Sequence, residues 1–320
     1  MLKVLITGSN GFVGQSLASS LVEEPMALIK TYRHLPESPG YHSESTEDMV
    51  RCFAVGDINA QTQWQAALSG VDAVVHLAAR VHVMQETHAD PLAAFREVNT
   101  QGTLNLARQA VDAGVKRFIY LSSIKVNGEK TADKPFFADD VPAPQDPYAI
   151  SKFEAEQQLL QLGKETGLEI VIIRPTLVYG RGVKGNFRRL INLVNKSLPL
   201  PFSGIKNARS LVSIDNLCSL IQVCLSHPKA ADEVFLVNDG QDVSTTELFE
   251  TIATVLHVKS RLFYLPRGWI RFFAALLHKN AEFERLFGSL QVDISKNEQL
   301  LGWKPGLSVK DGIKKMLESR

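Results

Sequence analysis

The chain has 320 residues, of which 45% are hydrophobic, and a formal net charge of +1. That length can bury a substantial core in one large domain or two interleaved ones, which excludes a fibre or a disordered tail. Its 35 Lys and Arg are dispersed and balanced by 34 Asp and Glu, so nothing argues for a nucleic-acid partner, while a small anionic ligand stays open.

In chain order, Met1-Leu2-Lys3 runs straight into an apolar segment and leaves no room for a secretory signal, so a cytoplasmic location is expected. Short apolar runs at 4–6, 27–31, 52–55, 73–77, 118–121 and 170–173 alternate with stretches at 11–22, 91–113 and 147–162 whose apolar residues have helical spacing. This rhythm predicts an α/β fold, a parallel sheet doubly wound with helices. Asp146 is the expected N-cap of the third helix, with Pro147 in its first turn. Beyond Arg174-Pro175 the pattern breaks into Gly-, Pro- and Asn-rich stretches around 179–186 and 197–209, the kind of loop that carries ligand contacts. The expected division is a dinucleotide-binding domain at 1–175, receiving segments from 209–238, and a smaller substrate domain at 176–320. The segment 269–277 contains Arg271 and falls well short of the roughly 20 apolar residues needed to span a bilayer. A buried helix is the reading preferred there over a membrane-surface contact. Cys52, Cys218 and Cys224 are odd in number and lack CxxC spacing, as expected of packing residues in a reducing compartment.

Two signals carry the chemistry. Gly8, Gly11 and Gly14 follow the first apolar run, where glycines permit a tight turn and close approach of the backbone to a pyrophosphate at a helix N-terminus. A carboxylate for the ribose hydroxyls of NAD is expected about 20 residues further on. No acid stands between Glu24 and Glu37, whereas Arg33 could pair with a 2′-phosphate, so NADP(H) is the favoured cofactor, with NAD(H) open. The second signal is Tyr148 four residues before Lys152, on one helical face. A phenol with a free pKa of about 10 needs a nearby cation to exchange protons at neutral pH. Lys152 is placed to supply it, and a hydroxyl from Ser122 or Ser123 could bond the substrate oxygen. His76, His82 and His88, six apart, do not share a helical face, and no metal site is expected.

As a set, TGSNGFVG at 7–14, GDI at 56–58, HLAA at 76–79, Asn99 with Gly102-Thr103, SSIKVNG at 122–128, YAISK at 148–152, RPTLVYG at 174–180 and LGWKP at 301–305 resemble the extended short-chain dehydrogenase/reductases of the nucleotide-sugar epimerase/dehydratase type. The resemblance spans nearly the whole chain. It implies a Rossmann fold and cofactor contacts from Gly8, Gly11, Phe12, Val13, Gly14, Asp57, Ile58, Leu77, Ala78, Ala79 and Asn99. It further implies a catalytic triad of Ser123, Tyr148 and Lys152, the last two also touching the cofactor. Arg209 is implied as the ligand of the substrate diphosphate, with Asn186 toward the same group, and a UDP-sugar as substrate. Many relatives pair through helices that include the Tyr/Lys helix, which implies a homodimer.

Departures from the family pattern bear on the reaction. Dehydratases carry an acidic pair after the triad hydroxyl, where this chain has Ile124 and Lys125, so water elimination is not expected. Epimerases commonly have a tyrosine where this chain has Asn127. The string SSIKVNGE, with GVKGNF and GSLQVD, resembles a branch that reduces a UDP-4-keto-6-deoxy-N-acetylhexosamine to UDP-N-acetylquinovosamine for surface polysaccharide. The expected reaction is therefore an NADPH-dependent 4-keto reduction. The alternative is a UDP-glucose or UDP-N-acetylglucosamine 4-epimerase with tightly bound NAD, and a remote third is a nucleotide-sensing protein without chemistry.

Overall fold

A computed structural model describes residues 1–35, 50–81, 90–183, 185–276 and 280–318. His82, His88 and Leu277 lie outside the described residues, as does the side chain of Asn186.

The expected doubly wound sheet is present. Six strands come first, each consecutive pair except β2 and β3 separated by a described helix: β1 (Leu2–Thr7), β2 (Met26–Tyr32), β3 (Val50–Ala54), β4 (Ala73–His76), β5 (Arg117–Leu121) and β6 (Glu169–Pro175). β7 (Leu177–Tyr179), β8 (Arg209–Ser213), β9 (Glu233–Val237) and β10 (Asp242–Val243) follow. The main sheet runs β3-β2-β1-β4-β5-β6-β9, with every pairing parallel. The chain starts in the middle of this sheet and reverses direction at β1/β4, which puts the carboxyl ends of β1 and β4 at the topological switch point. β1 and β4 are buried on both faces, which is why their sequences read as continuous apolar runs rather than alternating ones.

Helices α1 (Phe12–Leu21), α2 (Gln65–Leu68), α3 (Pro91–Arg96), α4 (Thr103–Asp112) and α5 (Pro147–Thr166) belong to the first half of the chain. One face of the sheet packs on α1 and on α7 (Ile214–Ser226), which follows α6 (Asn186–Asn195), through Leu17, Leu21, Leu217 and Ile221. The other face packs on α2, α4 and α5 through Leu68, Leu106, Ala155 and Leu159. A smaller sheet, β10-β8-β7, covers a third core with Phe187 of α6, Phe249 of α8 (Thr245–Val255) and Ile313 of α12 (Val309–Glu318).

Two helical expectations are revised. The stretch 91–113 is not one helix: α3 gives way to a π-helical turn at Glu97–Gly102 before α4 begins. The extra residue turns Asn99 inward, where Arg80 N donates to its Oδ1 (2.8 Å) and its Nδ2 donates to Arg80 O (3.0 Å) and Ser151 Oγ (3.1 Å). Nor are the described side chains at 269–276 buried. In α9 (Arg267–Leu276), Trp269, Phe272 and Leu276 are exposed, and the main packing partner of this helix among the described elements is the short α10 (Asn280–Phe287) that precedes α11 (Ser295–Leu301). Among the described residues no helix is long and apolar enough to cross a membrane.

Candidate functional site

The site gathers where β1, β4 and β5 end. Gly8 has φ of +66°, and a Cβ added there would lie 2.9 Å from Ala78 N, so only glycine lets the first turn approach the loop after β4. A Cβ at Gly14 would lie 2.2 Å from Gly8 O, which seats α1 directly on the turn. Gly11 is the N-cap of α1 and makes no side-chain hydrogen bond, leaving first-turn amides aimed outward with the positive end of the helix dipole. This cradle fits a dinucleotide pyrophosphate. Phe12 and Val13 are half-buried and pack against the core beneath, as does Leu77, while Ala78 and Ala79 follow on the loop from β4.

A line of hydrogen bonds holds this cradle. Thr7 Oγ1 accepts from the amides of Leu77 and Ala78 (3.1 Å each), so its own proton goes to His76 Nδ1 at 2.7 Å. His76 Nε2 then donates to Thr103 Oγ1 at 2.9 Å. Burial, reinforced by the charge of Lys152, pushes the His76 imidazole down to about 3, consistent with this neutral tautomer. His76 thus has a local hydrogen-bonding role, and it fixes the position of Gly8 relative to Ala78.

At the far end of the cradle, Arg33 follows β2 and Asp57 follows β3, and their side chains meet: Arg33 Nε lies 2.8 Å from Asp57 Oδ1. With side-chain exposures of 70% and 75% the pair is solvated and worth at most about 1 kcal/mol, so a ligand could displace either partner. The sequence marks Arg33 and Asp57 separately as cofactor contacts and gives no sign of their pairing, since they are 24 residues apart in the chain and adjacent only in the sheet. Ile58 packs under the π turn, where a Cβ on Gly102 would come within 2.7 Å of it.

The triad candidates come together at the end of β5. Asp146 caps α5 by accepting from Ala149 N at 2.7 Å, which places Tyr148 in the first turn and Lys152 one turn later. Ser123, in extended conformation after β5, has its hydroxyl near enough to the Tyr148 phenol to favour the phenolate. Lys152 is 2% exposed; its Nζ donates to Leu121 O at 2.8 Å and lies 4.4 Å from the centre of the Tyr120 ring. The expectation that the lysine lowers the phenol's pKa is not met in this arrangement. Burial and the Asp146 carboxylate push Tyr148 up to about 12 against the opposing bond from Ser123, while burial pulls Lys152 down to about 7 against the pull of Glu156. The hydrogen bond of Lys152 points along the strand end and not at the phenol.

Three further residues shape this corner. Glu156, one turn beyond Lys152, makes a buried bidentate pair with Arg174 (3.0 and 2.5 Å), and Arg174 Nη1 donates to Asn127 Oδ1 at 3.0 Å. Asn127 Nδ2 also donates to Phe137 O at 2.9 Å. Asn127, where epimerases commonly carry tyrosine, is therefore a structural bridge and says little about the reaction. The repeated four-residue spacing of Tyr148, Lys152 and Glu156 was the available signal for the third member. Ile124 is buried in an apolar cluster, and Lys125 is held by Asp146 and by Glu129 (3.0 Å).

In the second half of the chain, Arg209 opens β8 half-buried, and its Nη1 donates to Gly288 O at 3.0 Å. Asn186 opens α6. Buried behind them, Asp239 accepts from Tyr179 Oη (2.7 Å), Ser213 N (2.8 Å) and Asn216 Nδ2 (2.6 Å). Asn216 also takes the amides of Gly306 and Leu307 (2.9 and 3.1 Å) and gives a bond to Leu307 O (2.8 Å). The network ties the tail of the chain to both sheets, and nothing in the sequence reading anticipated it. Among the described residues no group of His, Cys, Asp and Glu could hold a metal ion.

Comparison with known proteins places this geometry. The profile of the NAD dependent epimerase/dehydratase family matches residues 4–238. The chain is 48% identical over 318 residues to a UDP-glucose 4-epimerase of Vibrio cholerae, covering 99% of this chain and 94% of the relative. It is 29% identical to a GDP-6-deoxy-D-mannose reductase of Pseudomonas aeruginosa, covering 98% and 96%. A crystal structure of UDP-glucose 4-epimerase with UDP-glucose from Thermotoga maritima superposes with a TM-score of 0.75 at 21% identity over 99% of this chain and 98% of that one, a likeness of fold.

Proposed function

The chain belongs to the NAD dependent epimerase/dehydratase family and is an NAD(P)-dependent enzyme of the extended short-chain dehydrogenase type, and from that premise we propose that it is a UDP-sugar 4-epimerase. The observation that carries this reading is the 48% identity, end to end, with a protein named as UDP-glucose 4-epimerase. The 4-keto reduction expected from sequence becomes the second reading. It rests on the likeness of SSIKVNGE, GVKGNF and GSLQVD to a reductase branch and on Arg33 as a 2′-phosphate ligand, and Arg33 has a carboxylate partner in Asp57.

In the proposed reaction Tyr148 Oη removes the proton of the sugar 4-hydroxyl and later returns it to the 4-oxygen once carbon 4 is inverted, and Ser123 Oγ would keep that oxygen in reach by hydrogen bonding. A bound nicotinamide would supply the hydride acceptor and donor. The glycine cradle holds the pyrophosphate, and Asp57 with Ile58 flanks the adenosine end. Ala78 and Ala79 form a wall, with Asn99 holding the backbone of Arg80 in place. Lys152 carries a proton that is loosely held at neutral pH and can turn from Leu121 O to a ribose hydroxyl, from which its charge would oppose the upward push on Tyr148. Arg209, with Asn186 near it in the pattern, is the proposed diphosphate ligand. That role requires exchanging or sharing the bond to Gly288 O.

Purified protein incubated with UDP-glucose or UDP-N-acetylglucosamine and no added cofactor tests this: the C4 epimer should form, and denatured protein should release NAD. Stoichiometric NADPH consumption with a UDP-4-keto sugar, and no epimer from either substrate, would establish the reductase instead. Tyr148→Phe should lower turnover at least about a hundredfold and leave cofactor content unchanged.

A further inference from the structure

The acid-free stretches of this chain are not placed at random. No Asp or Glu stands between Glu169 and Asp215 or between Glu250 and Glu282, and these two stretches together hold thirteen of the 35 Lys and Arg. A protein of net charge +1 thus concentrates its excess of cations on the substrate side. Arg174 and Arg209 are engaged inside, but Arg181, Arg188, Arg189, Lys196, Lys259 and Arg261 are exposed.

The two stretches meet. Leu200 N donates to Arg261 O and Phe263 N to Leu200 O, both at 3.0 Å, and Ser203 N donates to Phe263 O at 3.2 Å. Beside this pairing Leu198, Phe263 and Tyr264 are exposed, and the chain then enters α9. On α9, Trp269, Phe272 and Leu276 are spaced i, i+3 and i+7, so they share one helical face, at 58%, 59% and 66% exposure. A different face meets α10, where the Arg267 guanidinium lies 5.6 and 5.8 Å from the ring centres of Phe283 and Phe287. α10 in turn ends at the Gly288 carbonyl that Arg209 holds.

We propose that this face is a docking surface for an anionic bilayer: Trp269, Phe272 and Leu276 enter the headgroup boundary, with Phe263 and Tyr264 beside them, and the surrounding bases pair with lipid phosphates. An amphipathic helix with aromatic and leucine side chains on one face and bases around it binds membranes by those two terms together. Charge decides for a bilayer over a second copy of this chain, since two such surfaces would bring the same excess of cations face to face. Docking would hold the substrate end of the enzyme at the membrane surface.

Sedimentation of the isolated holoprotein with phosphatidylcholine vesicles, with and without phosphatidylglycerol, tests the proposal. Binding should require the anionic lipid and fall at least about tenfold between low and high salt. Trp269 is exposed whereas Trp64 and Trp303 are buried, so brominated lipid should quench an emission component that Trp269→Ser removes. Trp269→Ser/Phe272→Ser/Leu276→Ser should lose about tenfold in vesicle binding and keep its solution turnover and melting temperature. The quenching measurement on unaltered protein needs no variant and stands if the triple change misfolds. Absence of vesicle binding, equal binding to neutral vesicles, or a dimer that the triple substitution dissociates would each overturn the proposal.

Discussion

Around the glycine turn, the contacts that fix the site come from strand ends that are neighbours in the sheet. Gly8 meets Ala78, Thr7 meets His76, and Arg33 meets Asp57, each following from the register of parallel strands. Around Asp239, by contrast, the contacts come from residues scattered over the second half of the chain, at 179, 213, 216 and 306–309, held by side-chain hydrogen bonds and not by ladder register. The first region is specified by apolar patterning and small residues, and a substitution there acts through sterics. The second depends on every polar group finding its partner, since a buried polar group left alone costs the full desolvation of that group.

The strongest test breaks one buried polar unit beside the triad and one within the Asp239 network. Glu156→Ala leaves the Arg174 guanidinium buried at the end of β6 without its carboxylate, and a loss of about 3–5 kcal/mol is expected in urea denaturation. A loss below about 1 kcal/mol would mean that water reaches Arg174 and that the corner beside the triad is less dry than described. Asn216→Ala removes a side chain that serves Asp239 and the 306–307 backbone, and about 2–3 kcal/mol should be lost. Hydrogen exchange sharpens this second case: the amides of Gly306 and Leu307 should lose protection while those of β1 and β4 keep theirs. Uniform loss across both would show that the regions unfold as one unit and that the contrast is only one of contacts.

A third test is a pH dependence. The His76 imidazole has its pKa at about 3 when folded, below the ordinary value near 6.5 that it regains on unfolding. The unfolded chain therefore binds the extra proton first, so the stabilisation is complete above pH 6.5 and is lost as pH falls from there toward 3. His76→Gln should flatten the urea midpoint over that window relative to the parent. An unchanged slope would assign the acid sensitivity to other groups.

Sequence by itself determined the rhythm of strands and helices, the glycine turn after the first strand, the Asp146 cap and the Tyr148/Lys152 spacing, because each is a local pattern whose geometry is set within a turn or a strand. It also marked Ser123 and the loop-rich second half. What it could not determine depends on which strand ends lie side by side and on what is buried. The partner of Arg33, the inward turn of Asn99, the outward face of α9 and the reach of the Asp239 network are set by the tertiary arrangement. The same holds for the pKa of Tyr148 and Lys152: a spacing of four residues puts two side chains on one face, but only the surrounding dielectric and the direction of the lysine's hydrogen bond decide which way each proton is pulled.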